Sequence, residues 1–142
     1  MSKAKVSGVE LWYELEGSGP HLVQIGGAVS AHEGYATITE AMTEHFTVID
    51  YDHRGYGFSD RPEQRYDVDV WADDLVAMLD ALGAQPEGSV FVDDQAGYCD
   101  GAEALGIRSI LILRDDVDPV EGTSTAGDRE LIHDLRSLLD LV

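Results

Sequence analysis

The stretch Ser89-Val-Phe-Val-Asp-Asp-Gln-Ala-Gly97 constrains the architecture more than any other part of the chain. Ser89 to Val92 is a short run rich in β-branched and aromatic side chains, the pattern of a buried strand. Asp93-Asp94 and Gly97 supply a turn, and Tyr98 to Leu105 reads as a helix. Strand, turn and helix form the unit from which parallel sheets are built, and ligands meet such sheets at the C-terminal ends of the strands. Two carboxylates just past Val92 are therefore the first place to look for chemistry.

The rest of the chain leads up to this unit and away from it. Lys3–Val6 and Val9–Leu15 flank a Ser7-Gly8 turn and read as a β-hairpin. In its second arm Val9, Leu11, Tyr13 and Leu15 alternate with Glu10, Trp12, Glu14 and Glu16, which predicts one core face and one mostly wet face. His21–Ile25 is a short strand ended by Gly26-Gly27. Glu33–His45 follows as a helix, and Phe46–Ile49 is a strand that runs into Asp50-Tyr-Asp-His-Arg-Gly-Tyr-Gly57. Phe58 to Tyr66 is a polar surface loop holding Pro62. Asp67 or Asp69 then caps a helix with an apolar stripe of Val70, Leu75, Met78, Leu79 and Leu82, closed by Gly83. Ile107–Leu113 is a further strand, Asp115–Gly127 a long loop, and Arg129–Leu141 a helix with Leu131, Ile132, Leu135, Leu138 and Leu139 on one face.

Strands and helices alternating at this spacing predict an α/β three-layer sandwich: a mostly parallel sheet with the antiparallel hairpin at one edge. The chain of 142 residues suits a single domain. Ile107–Leu113 falls near the other edge, so Ile110 to Leu113 is expected to offer open backbone groups to a second copy, giving a homodimer.

Charge narrows the partners. Acids outnumber bases 28 to 9, a net charge of −19, which repels nucleic acid and anionic membranes. No run of eighteen apolar residues spans a membrane. Met-Ser-Lys-Ala-Lys-Val has no apolar run behind its lysines and is no signal peptide, so a cytoplasmic location is expected. Cys99 is the only cysteine and has no partner for an intrachain disulfide.

Two resemblances follow. Gly8-Val-Glu-Leu-Trp-Tyr-Glu, Leu22-Val-Gln-Ile-Gly-Gly, Asp52-His-Arg-Gly-Tyr-Gly-Phe-Ser-Asp-Arg-Pro62 and Trp71-Ala-Asp-Asp-Leu-Val-Ala-Met-Leu-Asp-Ala-Leu-Gly83 resemble the N-terminal part of an α/β-hydrolase. That family places a His-Gly turn after the strand ending near Ile25, helping to form the oxyanion hole; here the histidine position is Gly26. It then continues to a G-x-S-x-G nucleophile elbow, where this chain reads Val92-Asp-Asp-Gln-Ala-Gly97. Residues 84–142 resemble instead the C-terminal part of a haloacid dehalogenase-like (HAD) hydrolase. In that family the Asp-Asp pair after the strand helps to hold Mg²⁺ and a Gly-Ala-x-x-x-Gly helix follows. Together the resemblances imply a truncated α/β-hydrolase-like sheet completed by a second fragment, a recombined or engineered chain joined within Asp74 to Gly83.

The candidate residues follow from the same reading. A serine triad needs a nucleophile, a base and an orienting carboxylate. Ser59 lies in the arginine-glycine loop, Ser89 begins a strand and His133 sits near the C-terminus, so none stands in a triad position. Asp94 is a candidate aspartate nucleophile without a placed histidine. By the HAD resemblance Asp50 and Asp52 mimic the Asp-x-Asp of phosphoryl transfer, and Asp93 and Asp94 are the candidate metal pair, with oxygen donors suited to Mg²⁺. The phosphate-holding lysine of that family has no counterpart, since no lysine occurs after Lys5. His32, His45 and His53 lack metal-ligand spacing and read as loop or helix-end residues. Trp12 and Trp71 read as packing, and Gly26-Gly27 alone does not make an anion cradle. The expectation is a scaffold with no complete active site, no catalytic activity and no cofactor. The alternatives are a minimal Mg²⁺-dependent phosphohydrolase and an esterase-like remnant.

Overall fold

A computed structural model describes residues 2–26, 31–65, 67–84, 88–104, 106–113 and 130–141, with 33 and 34 as backbone alone. The chain divides into two compact units, Met1–Ala84 and Gln85–Val142.

In the first unit β1 (Ser2–Val6), β2 (Val9–Gly17), β3 (His21–Gln24) and β4 (Thr47–Tyr51) form a sheet in the order β1-β2-β4-β3. The β1/β2 and β2/β4 pairs are antiparallel and β3/β4 is parallel. Ser7 (φ 48°) and Gly8 (φ 81°) are both left-handed, which matches the twist of a two-residue hairpin and pairs Val6 with Val9. One sheet face carries Val9, Leu11, Ile49 and Tyr51, which pack with Met78 of helix α2 (Val68–Leu82). The Asp67 side chain caps α2 by accepting from the Val70 N–H, and left-handed Gly83 (φ 72°) ends it. The opposite face carries Gln24, Asp50 and Asp52. A 3₁₀ turn at His32–Tyr35 and helix α1 (Ala36–Met42) cover it, and the Thr39 hydroxyl donates to Gln24 Oε1 at 2.8 Å. Helix, sheet and helix are the three layers expected.

Two expectations change here. The segment read as one helix from Glu33 to His45 is a 3₁₀ turn and then only seven helical residues, because the chain turns at Thr43 and the N–H groups of His45 and Phe46 both bond back to Met42 O. The hairpin's faces also differ from strict alternation. Trp12 is 2% exposed under the 3₁₀ turn, whereas Leu15 is 47% exposed.

The second unit is β5 (Val90–Asp93), α3 (Ala96–Ala104), β6 (Arg108–Ile112), β7 (Glu130–Ile132) and a 3₁₀ segment Leu135–Asp140. Its three strands are parallel in the order β5-β6-β7. Ile110, Ile112 and Ile132 pack with Leu138 on one face, while Leu111 packs with Ala96 and Cys99 of α3 on the other. The segment Arg129–Leu141 is thus not the helix its spacing predicts. Its apolar residues divide between a strand and a 3₁₀ turn, and the Asp134 carboxylate caps the turn by accepting from the Ser137 N–H. This overturns the expected open edge at Ile110–Leu113. β7 pairs with β6, and the Leu113 N–H donates to Ile132 O. The loop Asp115–Gly127 lies outside the described residues. Among the described residues no helix is long and apolar enough to cross a membrane.

Candidate functional site

The residues most tightly drawn together lie where β4 ends and the arginine-glycine loop begins. The Asp52 side chain is fully buried, and a buried carboxylate needs donors for its charge. It accepts from the main-chain N–H groups of His32 and Phe58, each at 2.9 Å, and His32 Nδ1 lies 3.0 Å from both its oxygens. The His32 ring lies between aromatic neighbours, 4.1 Å from Trp12 and 5.3 Å from Phe58 by ring centroids. Gly57 (φ 47°) lets the loop close on this carboxylate, because a Cβ there would run into Asp52.

Ser59 stitches the loop to the hairpin. Its Oγ donates to Asp52 O at 2.6 Å and accepts from the Trp12 N–H at 2.9 Å, so this hydroxyl is committed to structure. Asp60 extends the seam, accepting from and donating to Glu10 through its side chain and backbone. Arg54, also buried, makes a two-pronged ion pair with Asp74 of α2. His53 Nε2 donates to Gly26 O at 3.0 Å and so fixes the end of β3, while its Nδ1 lies 3.2 Å from the Tyr51 hydroxyl. Burial, and then the Asp74 charge, push the Tyr51 hydroxyl pKa upward.

The sequence candidates are distributed between the two units. Asp50 and Asp52 belong to the first. Asp50 is partly buried, and burial, the largest cause, raises its carboxyl from 3.8 to about 6. Asp93 and Asp94 belong to the second. Asp93 ends β5 and accepts from the Gln95 N–H at 2.8 Å; burial chiefly raises its pKa, with the Asp94 charge adding to it. Asp94 is exposed. Among the described residues no group of three or more His, Cys, Asp or Glu is arranged to hold a metal. Ser89 is exposed before β5, and His133 Nδ1 lies 3.1 Å from Leu113 O. Gly27 is outside the described residues. If Gly97 is the last glycine of an elbow, Gln95 stands in the nucleophile's place, and a carboxamide is no nucleophile.

His32 is the residue that sequence reasoning passed over. Its partner lies 20 positions away, so no local spacing could reveal it.

Comparison with known proteins places this geometry. Residues 20–87 match the family model of the alpha/beta hydrolase fold. The 2-(acetamidomethylene)succinate hydrolase of Mesorhizobium japonicum is 33% identical over 135 residues, covering 87% of this chain and 48% of that protein. The soluble epoxide hydrolase of a Corynebacterium is 29% identical over 126 residues, covering 89% of this chain and 44% of its own. The crystal structure of an α/β hydrolase from Sphaerobacter thermophilus matches with a TM-score of 0.60 at 32% identity, over 99% of this chain and 53% of that one. The chain thus spans about half the length of the curated relatives it matches. That match extends along nearly the whole chain, and the HAD-like reading of residues 84–142, with a chimeric or engineered origin, gains no support. With its arginine-glycine loop locked between hairpin and α2, the chain has an α/β-hydrolase fold in its N-terminal region and hydrolases among its relatives.

Proposed function

We propose that this chain is an α/β-hydrolase-fold scaffold that does not itself carry out serine-type hydrolysis. The observation that carries the reading is the turn after β5, which reads Asp93-Asp94-Gln95 with no serine and in which the Asp93 carboxylate accepts from the Gln95 N–H. The polar side chains around β4 support it, because their visible contacts are structural. Ser59 bridges the loop and β2, and Asp52 is enclosed by three donors. The hydrolase activities of the two curated relatives belong to proteins of which this chain covers 48% and 44%, and they are not carried over to it.

The test is turnover of p-nitrophenyl acetate and butyrate by the purified chain, with p-nitrophenyl phosphate measured with and without Mg²⁺. The expected result is no saturable turnover of any of them. Saturable ester hydrolysis would overturn the reading in favour of a working esterase, and Mg²⁺-dependent phosphate release in favour of a phosphohydrolase built on Asp50, Asp52, Asp93 and Asp94.

A further inference from the structure

Among the described residues, three buried polar atoms of the first unit have no hydrogen-bond partner: Trp12 Nε1, Gln24 Nε2 and Asp50 Oδ1. They share one face of one sheet. Gln24 is the register neighbour of Asp50 across β3/β4, and Glu14 is its neighbour across β2/β4, so Trp12, two residues before Glu14, lies on the same side. This is the face covered by the His32–Tyr35 turn and α1, as the Thr39 to Gln24 bond and the Trp12–His32 ring contact show. Trp12 is 2% and Gln24 6% exposed, so bulk solvent does not satisfy them.

Folded proteins rarely leave such groups empty-handed, because a buried donor or acceptor without a partner forfeits its hydration. The chemistry of the Gln24 and Asp50 atoms selects the ligand. An N–H donor disfavours a cation and a carboxylate disfavours an anion, while a small neutral molecule that both accepts and donates satisfies both. Gln24 and Asp50 stand on adjacent strands, roughly 4.8 Å apart at the backbone, yet make no direct bond. Buried waters fill this role, typically through about three hydrogen bonds to otherwise unsatisfied groups. Asp50 is only partly buried and gives solvent a way in.

We propose that the first unit binds an internal water on the α1 side of its sheet, accepting from Gln24 Nε2 and donating to Asp50 Oδ1, the two side chains that are cross-strand neighbours. The inference does not depend on the presence or absence of hydrolytic activity.

Two-dimensional water-to-amide NOE and ROE spectra of the ¹⁵N-labelled full chain test it. Cross-peaks to water from the Gln24 side-chain amide, with the sign of a water held longer than a nanosecond, are expected. Water relaxation dispersion should lose one long-lived water in Gln24→Leu and retain it in Asp50→Asn, which keeps an acceptor oxygen. Absence of the wild-type cross-peaks overturns the proposal and favours a dry contact between Gln24 and a protonated Asp50, and so does an unchanged dispersion in a folded Gln24→Leu. Should that variant not fold, the wild-type cross-peaks decide alone.

Discussion

Asp52 and His32, 20 residues apart in sequence, meet twice: the carboxylate accepts the main-chain N–H of His32 at 2.9 Å and lies 3.0 Å from its ring nitrogen. The second contact orients a ring that also lies against Trp12 and Phe58, so a single buried acid ties β4, the 3₁₀ turn and the arginine-glycine loop together. Asp52→Ala strands the N–H groups of His32 and Phe58 and the His32 ring at once. The expected loss is about 3 kcal/mol, read from urea denaturation midpoints at constant m. A loss under about 0.5 kcal/mol, the scale of an ordinary surface substitution, would show that the site is not a structural node.

Gly57 bears on the same carboxylate from the other side. An alanine there has both a left-handed φ of 47° to adopt and a Cβ directed into Asp52. Gly57→Ala should therefore cost about 2 kcal/mol or more. Gly83→Ala is the control, being also left-handed (φ 72°) but with open space around its Cβ, and should cost only about 1 kcal/mol. Equal losses at the two positions would contradict the close approach to Asp52.

The Arg54–Asp74 pair joins the loop to α2 with both side chains nearly inaccessible. Removing one partner leaves a buried charge uncompensated, so Asp74→Ala should destabilise by about 3–5 kcal/mol. Replacing both together, Arg54→Met with Asp74→Leu, should recover most of that loss, because the pair's desolvation disappears with it. A double variant as unstable as Asp74→Ala would argue that hydrogen bonds from Arg54 outside the pair matter more.

Burial raises the Asp50 carboxyl to about 6, with the His32 charge drawing it down and those of Asp52 and Glu14 pushing it up; Gln24 is its uncharged cross-strand neighbour. The folded value lies above the ordinary 3.8. As pH rises, the unfolded chain therefore gives up this proton first, and the folded state holds more protons between about pH 4 and pH 6. Stability falls across that window and levels off above it. Asp50→Asn has no proton to lose, so its Tm relative to wild type should rise from about pH 4 to pH 6 and then stay constant. A difference independent of pH would mean that Asp50 is not perturbed by folding.

Much of this fold could be read in the sequence, because its signals are local. Ser7-Gly8 set the hairpin turn, and Asp67 and Gly83 bound α2 where a cap and a left-handed stop were expected. The segment Arg129–Leu141 misled for a physical reason. Leu131, Ile132, Leu135, Leu138 and Leu139 satisfy a helical period, yet pairing of Glu130–Ile132 with β6 takes the first of them into a strand. A tertiary partner overrode a local pattern. The site was less legible still. Asp52 reads as half of an Asp-x-Asp pair, whereas its bonds tie it to His32 and Phe58, and neither residue spacing nor composition joins His32 to Asp52 or leaves the side chains of Gln24 and Asp50 facing each other without a bond.

The most direct test of the scaffold reading is treatment of the whole chain with a fluorophosphonate, followed by intact mass. An activated serine forms one covalent phosphonyl adduct per chain, whereas hydroxyls committed to hydrogen bonds, like that of Ser59, do not react. The account predicts an unmodified mass after an exposure that fully labels a competent serine hydrolase treated in parallel. A stoichiometric adduct on any one serine would contradict it and identify the nucleophile.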